Sequence, residues 1–323
     1  MRLQYINSIA CLCLLSVLAV PTAQALDTGK LEGNQSLSHY ITAVYCEDIG
    51  DIDRAIQEYR KALENDEQSS LLHLNLASAF IKKNDFPSAI LELRKSIDLA
   101  PDTVEPHAIL ALVYTTQNET DLATQEYAFA LKNAAKLEPE NIEIYKNLAA
   151  IYLQQRKLKE AEGILKLIVG LAPLDEQAHF YLGSIYYDLE DYAATEKEFK
   201  AAIKLKPDYH EALNFLGYFY LEQDRNIDKA GGLIKKALSF DPENGAYVDS
   251  LGWFYFKKGK FKEALSYLEK AASFLSDPVI YEHLGDVFMK LGDRDNARLN
   301  WEKSLKLDST QEKVKEKLLQ VCQ

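Results

Sequence analysis

The residues that could carry out catalysis or bind a metal ion are not grouped as a known site requires. The chain has 6 His and 4 Cys among its 323 residues, and such side chains act as general bases, nucleophiles or ligands only where several converge. The histidines are spread out, without the HExxH spacing or the cysteine pairs of zinc sites: His39, His73, His107, His179, His210 and His283. We expect each of them to be a partly exposed helix residue.

Loops that bind phosphates or dinucleotides are also missing from the pattern. Such loops need spaced glycines between a strand and a helix, whereas Gly231-Gly232 lies within a predicted helix. The sequence therefore predicts a protein that is not an enzyme, with no metal, no cofactor and no small-molecule substrate. An active site hidden in a groove is the alternative.

The charge of the chain narrows the choice of partner. It has 37 Lys and Arg against 49 Asp and Glu, for a formal net charge of −12. Nucleic-acid binding needs a basic stripe or patch, and none is evident. Anionic lipid headgroups are disfavoured for the same reason, so we expect proteins or peptides as partners.

Residues 1–25 have the layout of a secretory signal peptide. Arg2 precedes an apolar run from Ile9 to Val20, and Pro21 to Ala25 ends in a small-x-small pattern. We expect cleavage after Ala25 and an exported protein, periplasmic or associated with the cell envelope. Retention as a membrane anchor or a lipid anchor is the alternative, although a run of about 12 residues is too short to span a bilayer. Residues 26–35 form a polar lead-in.

After the lead-in, small and large residues recur together with a period near 34 residues. Eight units start at residues 36, 70, 104, 142, 176, 210, 245 and 278. Position 8 of each unit is small: Ala43, Ala77, Ala111, Ala149, Gly183, Gly217, Gly252 and Gly285. A second helix has its own small residue: Ala55, Ala89, Ala123, Ala161, Thr195, Ala230, Ala264 and Ala297. Small residues let two helices approach closely while large ones fill the remaining space, so each unit is predicted to be a helix-turn-helix.

This period and residue pattern resemble the tetratricopeptide repeat (TPR) family. The resemblance implies an all-α fold, an α-solenoid in which eight TPR units form a right-handed superhelix. The implied repeats span 36–69, 70–103, 104–141, 142–175, 176–209, 210–244, 245–277 and 278–311. Residues 312–323 are predicted to be a C-terminal capping helix; a membrane-surface helix is the alternative.

Three local features interrupt the repeat pattern, and two cysteines lie outside the predicted signal peptide. Extra residues near Asn133 predict a longer second helix in repeat 3, and repeat 6 has one extra residue near Ile227. Gly231-Gly232 indicates either a close helix crossing or a flexible joint. Cys46 is expected to be a buried thiol and Cys322 a free terminal one, because the two lie at opposite ends of the predicted solenoid and are not expected to form a disulfide.

In TPR proteins, positions 2, 5, 9 and 12 of the first helices line a concave groove that receives peptides. By this resemblance the partner-binding groove of repeats 5 to 7 comprises Phe180, Ser184, Tyr187, Asn214, Tyr218, Leu221, Asp249, Trp253 and Phe256. Repeats 4 and 8 add Lys146, Gln154, Glu282, Asp286 and Met289. Rigid rings interrupted by polar groups are typical of binding surfaces; packing of the rings within the protein is the alternative. Lys146 and Asn214 could contribute to a clamp for a C-terminal carboxylate, but its other basic residues are missing.

The predicted function is that of a non-enzymatic, exported TPR scaffold or adaptor that binds a peptide segment or partner protein in this groove. Repeats 6 to 8, for example 250–253 and 283–286, resemble those of bacterial envelope TPR adaptors. That resemblance implies an envelope protease or an assembly factor as partner. The alternative is a structural subunit of a secretion, pilus or outer-membrane assembly complex.

Overall fold

The structure, a computed structural model, describes residues 34–321. The predicted signal peptide, nearly all of the lead-in and Cys322 lie outside the described residues. Every regular element within them is an α-helix. The helices are α1 Asn34–Asp48, α2 Ile52–Asn65, α3 Ser70–Lys82, α4 Phe86–Leu99, α5 Glu105–Thr116, α6 Thr120–Leu137, α7 Ile142–Gln154, α8 Leu158–Leu171, α9 Glu176–Asp188, α10 Tyr192–Leu205, α11 His210–Glu222, α12 Ile227–Phe240, α13 Gly245–Lys257, α14 Phe261–Phe274, α15 Pro278–Leu291, α16 Arg294–Leu307 and α17 Glu312–Val321. The predicted all-α fold of helix-turn-helix repeats is confirmed.

The described residues divide into two compact units. One ends at Ile164 and the other begins at Leu165, within α8. We refer to them as the N-terminal unit and the C-terminal unit. No helix among residues 34–321 is both long enough and apolar enough to cross a membrane.

Helix boundaries follow from short polar residues and from turns with positive φ. Many helices are capped by a side chain that accepts a backbone N–H; at Asp277 the carboxylate Oδ1 accepts from the Val279 amide at 2.8 Å, with Pro278 as the first helical residue. The two predicted insertions have visible consequences. Helix α6 has 18 residues where α4 has 14, and the turn before α12 contains both Asp224 and Asn226 at positive φ.

The small residues at position 8 pack directly against the large residue of the paired helix. A Cβ added to Gly183 would lie 2.9 Å from the ring of Phe199, and one added to Gly252 would lie 2.7 Å from Leu268 Cγ. Phe199 and Leu268 are both fully buried. The alternation of small and large residues that defines the repeat therefore produces the contact between its two helices.

Gly231 and Gly232 have different surroundings. A Cβ on Gly231 would lie 2.5 Å from Cε2 of Phe254, whereas one on Gly232 would meet nothing within 4 Å. Phe254 belongs to α13 of the next repeat. At Gly231 the interpretation of a close helix crossing is therefore supported.

Position 10 of each first helix is buried in every repeat except the first. The residues at this position are Tyr45 at 62% exposed, Ala79 at 0%, Val113 at 2%, Ile151 at 3%, Ile185 at 1%, Phe219 at 1%, Phe254 at 8% and Val287 at 0%. In repeat 7 this residue is Phe254, which fills the space beside Gly231 on the second helix of repeat 6. In repeat 7, position 10 thus packs against the preceding repeat.

The last helix covers the end of the C-terminal unit. Val314 of α17 is fully buried and shares an apolar cluster with Ala297 and Trp301 of α16. This agrees with the predicted capping helix. At the other end of the described chain, Cys46 in α1 is a buried free thiol, as expected.

Four histidines form a recurring polar contact that the sequence analysis missed. In each, the imidazole Nδ1 lies 2.6–2.7 Å from a glutamate Oε2 located 19 residues later. The pairs are His39–Glu58, His73–Glu92, His107–Glu126 and His179–Glu198. The expectation of partly exposed histidines is wrong for His73, His107 and His283, which are at most 8% exposed. Each pair joins the two helices of a repeat, and the constant spacing of 19 residues is visible in the sequence.

Candidate functional site

The predicted groove residues lie on α9, α11 and α13 of the C-terminal unit, and the structure separates them by exposure. Asn214, Leu221 and Asp249 are at most 1% exposed, whereas Tyr187 and Tyr218 are partly exposed. Phe256 is also partly exposed, and Phe180, Ser184 and Trp253 are 7–8% exposed. Only part of the predicted set is therefore directly available to a partner.

Phe180 belongs to the apolar core of the C-terminal unit. Its ring centroid lies 5.1 Å from that of Tyr209, 5.4 Å from that of Phe215 and 5.8 Å from that of Phe199. Such distances are those of packed aromatic pairs. At Phe180 the packing alternative fits the structure better than the binding one.

Trp253 is held in one orientation on the face of the C-terminal unit that carries the predicted groove residues. Its ring stacks on His283 with centroids 3.9 Å apart and an interplanar angle of 12°. It also stacks on Phe256, at 4.4 Å and 6°. The indole Nε1–H donates to Oε1 of Glu222 at 2.8 Å, which joins α13 to α11. A ring fixed by stacking and a hydrogen bond loses little entropy when a partner packs against its surroundings.

Behind the indole, His283 and Asp249 form a buried pair. His283 Nδ1–H donates to Asp249 Oδ1 at 2.8 Å, and the two side chains are 4% and 2% exposed. Burial alone would lower the pKa of His283, but the Asp249 carboxylate, together with Glu222 and Glu282, outweighs it and raises that pKa. The pair links α13 to α15 and favours the imidazolium form.

Tyr218 brings repeats 6 and 8 together across repeat 7. Its ring centroid lies 6.2 Å from that of His283. Although Tyr218 is partly exposed, burial of much of its side chain raises its pKa well above the ordinary value, and the nearby carboxylates of Glu222, Asp249 and Glu282 raise it further. Side chains two repeats apart meet here, so this face of the C-terminal unit is concave.

At the end of this face, Lys317 of α17 fills the space between two acidic residues of α15. Its Nζ lies 2.7 Å from Glu282 Oε1 and 2.7 Å from Asp286 Oδ2. Burial would lower the pKa of Lys317, but the two carboxylates raise it. Asp286 also accepts a hydrogen bond of 3.1 Å from Trp301 Nε1. These acidic residues, predicted as groove residues, therefore also tie the capping helix to repeat 8.

The arrangement favours recognition over catalysis. The bond from a histidine Nδ1–H to an aspartate is the one that orients a general base, but His283 is 4% exposed and stacked against the Trp253 indole. A substrate cannot reach the ring in this conformation. Within the described residues, no three His, Cys, Asp or Glu side chains lie close enough together to hold a metal ion.

Two important members of the site were not among the predicted groove residues. Glu222 follows Leu221 at the end of α11, and His283 is at position 6 of repeat 8. Their signal in the sequence is weak, because their roles come from contacts to Trp253 on another repeat. Lys146 and Gln154, the predicted additions from repeat 4, lie in the N-terminal unit.

Stacked helical hairpins, each formed by a small residue on one helix and a large residue on the other, define a helical-repeat protein. Family models described as "Tetratricopeptide repeat" match residues 50–113, 117–180, 180–247, 249–274 and 279–311. The chain belongs to the tetratricopeptide repeat family, and members of this fold have proteins or peptides as partners.

Two relatives and one solved structure to which this chain is similar are also tetratricopeptide repeat proteins. A TPR repeat-containing protein of Methanocaldococcus jannaschii is 25% identical over 295 residues, which cover 85% of this chain and 51% of the relative. A TPR repeat-containing protein of Pseudomonas aeruginosa is 35% identical over 96 residues, or 30% of this chain and 16% of the relative. The chain thus spans about half or less of these relatives' lengths. The crystal structure of a tetratricopeptide repeat protein from Parabacteroides merdae superposes with a TM-score of 0.57 at 19% identity, covering 79% of this chain and 100% of that one, which supports the fold.

Proposed function

We propose that this chain is a non-enzymatic, exported adaptor that binds an extended peptide segment of a partner protein on the concave face of the C-terminal unit. The observation that carries the proposal is the fixed Trp253, with partly exposed Tyr187, Tyr218 and Phe256 on the same face. Aromatic side chains give large contact area at low entropic cost and dominate binding hot spots.

The polar groups of the face suit the backbone and cationic side chains of such a segment. The carboxylates of Glu222, Glu282 and Asp286 lie within or beside the face, with Lys317 partly balancing them, while Asp249 is buried and paired with His283. Complementary charge mainly increases the association rate and the specificity of binding. A segment carrying lysine or arginine is therefore favoured over an acidic one.

Export rests on the predicted signal peptide, and an envelope protease or assembly factor is the proposed partner. Cell fractionation followed by amino-terminal sequencing tests export: a mature chain beginning at Leu26 in the envelope fraction supports it. A chain that retains Met1 in the cytoplasm contradicts it. Retention of residues 1–25 in the membrane fraction would favour the anchored alternative.

Binding is tested by affinity capture from envelope extract of the source organism, followed by titration of the captured partner. The triple variant Tyr187→Ala/Tyr218→Ala/Phe256→Ala removes the partly exposed rings, and Phe274→Ala on α14, which is 40% exposed, serves as the control. Loss of binding in the folded triple variant, with binding retained by Phe274→Ala, supports the site. Equal binding by all three proteins would refute it. Stable incorporation into a large membrane complex would instead favour the structural-subunit alternative.

Intrinsic fluorescence provides a direct readout at the site. The chain has 2 Trp, and Trp301 is in the core beneath α17. In a Trp301→Phe background, the emission of Trp253 should change as the partner is added. An unchanged spectrum at saturating partner would place the binding surface elsewhere.

A further inference from the structure

Four rings from three helices meet on the concave face of the C-terminal unit. Phe256 and Trp253 of α13 stack with centroids 4.4 Å apart, and Trp253 stacks in turn on His283 of α15 at 3.9 Å. The Tyr218 ring of α11 lies 6.2 Å from the His283 ring, centroid to centroid. We call Tyr218, Trp253, Phe256 and His283 the ring cluster. Its imidazole is the member that can gain or lose a proton near neutral pH.

The protonated imidazole of His283 is held along its edge and across its face. Its Nδ1–H donates to Asp249 Oδ1 at 2.8 Å, and the two side chains are 4% and 2% exposed. Across the face, the Trp253 indole lies nearly parallel to the imidazole, at 12°. A cation stacked on an indole makes a cation–π contact, which is strongest where water is excluded. The charge of His283 therefore stabilises the position of the Trp253 ring as well as the ion pair.

The charged groups around His283 come from four helices and are mostly acidic. They are Glu222 of α11, Asp249 and Lys257 of α13, Glu282 and Asp286 of α15, and Lys317 of α17. Two further helices, α14 and α16, pack against α15 through apolar side chains such as Leu268 and Trp301. The surroundings of the imidazole thus favour a positive charge on it.

The ring cluster has one member that titrates in the neutral range. Burial alone would lower the pKa of His283, but the carboxylates of Asp249, Glu222 and Glu282 outweigh it and raise that pKa above 6.5. Burial raises the pKa of Tyr218 well above 10.0, so this phenol keeps its proton. A rise in pH through the neutral range therefore removes charge from the cluster at His283.

We propose that His283 is a proton-operated latch for Trp253, which holds the indole in its stacked orientation when protonated and releases it when neutral. On deprotonation, Nε2 loses its proton to water while Nδ1–H still donates to Asp249. The cation–π contact is then lost, and the indole keeps its apolar stacking and its bond to Glu222. The latch belongs to the folded chain itself and sets the pH range in which the concave face is preorganised.

The fluorescence of Trp253 tests the latch without a partner. Trp301→Phe leaves Trp253 as the one tryptophan of a chain with 2 Trp. Between about pH 6 and pH 9, its acrylamide quenching constant should rise at least roughly 2-fold, the smallest effect that loss of a cation–π contact corresponds to. Protection factors of the α15 amides around His283 should fall by roughly 2- to 30-fold over the same range. NMR titration of the His283 imidazole should give the same midpoint as the quenching curve.

Three variants connect the change to the latch. His283→Gln can still donate to Asp249 but has no proton to lose in this range, so its quenching should not change with pH. Asp249→Asn removes the main charge that holds the proton and should move the midpoint to lower pH. The matched control is Trp253→Phe, in which the probe is Trp301, bonded to Asp286; its quenching should stay constant. Far-UV circular dichroism at both ends of the range establishes that each variant is folded.

Each contrary result overturns the proposal. Constant quenching of Trp253 while NMR shows His283 titrating would mean that the proton does not hold the indole. A His283 that keeps one protonation state throughout the range would exclude a latch operated by pH. A step that persists in His283→Gln, or a midpoint that Asp249→Asn leaves in place, would assign the change to another group. Failure to capture a partner would count against the proposed function and would leave these results unaffected.

Discussion

Replacing Gly231 or Gly232 by alanine offers a sharp test of how the repeats pack. The two residues are neighbours in α12, so both substitutions gain about 0.5–1 kcal/mol from the greater helix propensity of alanine. Gly232 is exposed, and its new methyl group would meet nothing within 4 Å. We therefore expect Gly232→Ala to stabilise the protein by that amount.

At Gly231 the same methyl group would overlap the ring of Phe254. The added Cβ would lie 2.5 Å from Cε2 and 2.6 Å from Cζ, so the ring must move by about 1 Å to reach ordinary van der Waals contact. Overpacking of this kind costs about 1–3 kcal/mol. Since the propensity gain is common to both variants, their difference in unfolding free energy isolates the packing cost and should itself be about 1–3 kcal/mol.

Urea unfolding followed by far-UV circular dichroism measures this difference. Because repeat arrays can unfold in parts, amide hydrogen exchange in α12 and α13 should accompany it. Adding Phe254→Leu to Gly231→Ala should recover part of the loss, as a double-mutant cycle would show. Equal stability of the two alanine variants would refute the close helix crossing.

Two predictions concern the buried ion pairs. Since the folded-state pKa of His283 is raised, its pairing stabilises the protein below the unfolded pKa of about 6.5 and loses this effect as the pH rises through the folded value. Asp249→Asn should therefore destabilise the protein by about 3–5 kcal/mol at pH 6 and by less at pH 8. NMR titration of this variant should show a lower pKa for His283 than in the wild type. An unchanged pKa would contradict the proposed role of Asp249. The folded-state pKa of Glu92 is lowered, because the hydrogen bonds and charges of His73 and Lys95 outweigh the effect of burial, which opposes ionisation. The Glu92 carboxylate therefore stabilises the fold at a pH above its unfolded pKa, and this stabilisation is lost as the pH falls through its folded pKa. Glu92→Gln should cost about 1.5–3 kcal/mol at pH 7 and less at pH 3 by urea unfolding, whereas the exposed Glu64→Gln should have little effect at either pH.

The repeat pattern predicted the fold because its cause is local to each repeat. A small residue such as Gly183 or Gly252 and its large partner occur within one helix pair, and their contact is present in the structure. The period, the long α6 and the cap at Asp277 likewise depend on residues close together in sequence. The spacing of 19 residues in the His–Glu pairs is equally readable in the sequence, but only the structure shows that the two side chains of each pair meet.

The candidate site depended on tertiary structure. Helical periodicity placed Phe180, Tyr218 and Trp253 on one face, but only contacts between repeats, such as that of Phe180 with Phe215, decided that Phe180 packs in the core and that Tyr218 stays partly exposed. Trp253 is oriented by Glu222, 31 residues before it, and Asp249 binds a histidine 34 residues after it.

The amino-acid sequence was sufficient to show that this protein is an array of helical hairpins and which residues pair within each hairpin. It also provided the prediction of export. Contacts between repeats were needed to establish which residues of each face are buried, which are available to a partner, and that α1 leaves Tyr45 open. The physical reason is that exposure depends on the side chains of adjacent repeats, whereas the propensity and periodicity of a helix depend on its own residues.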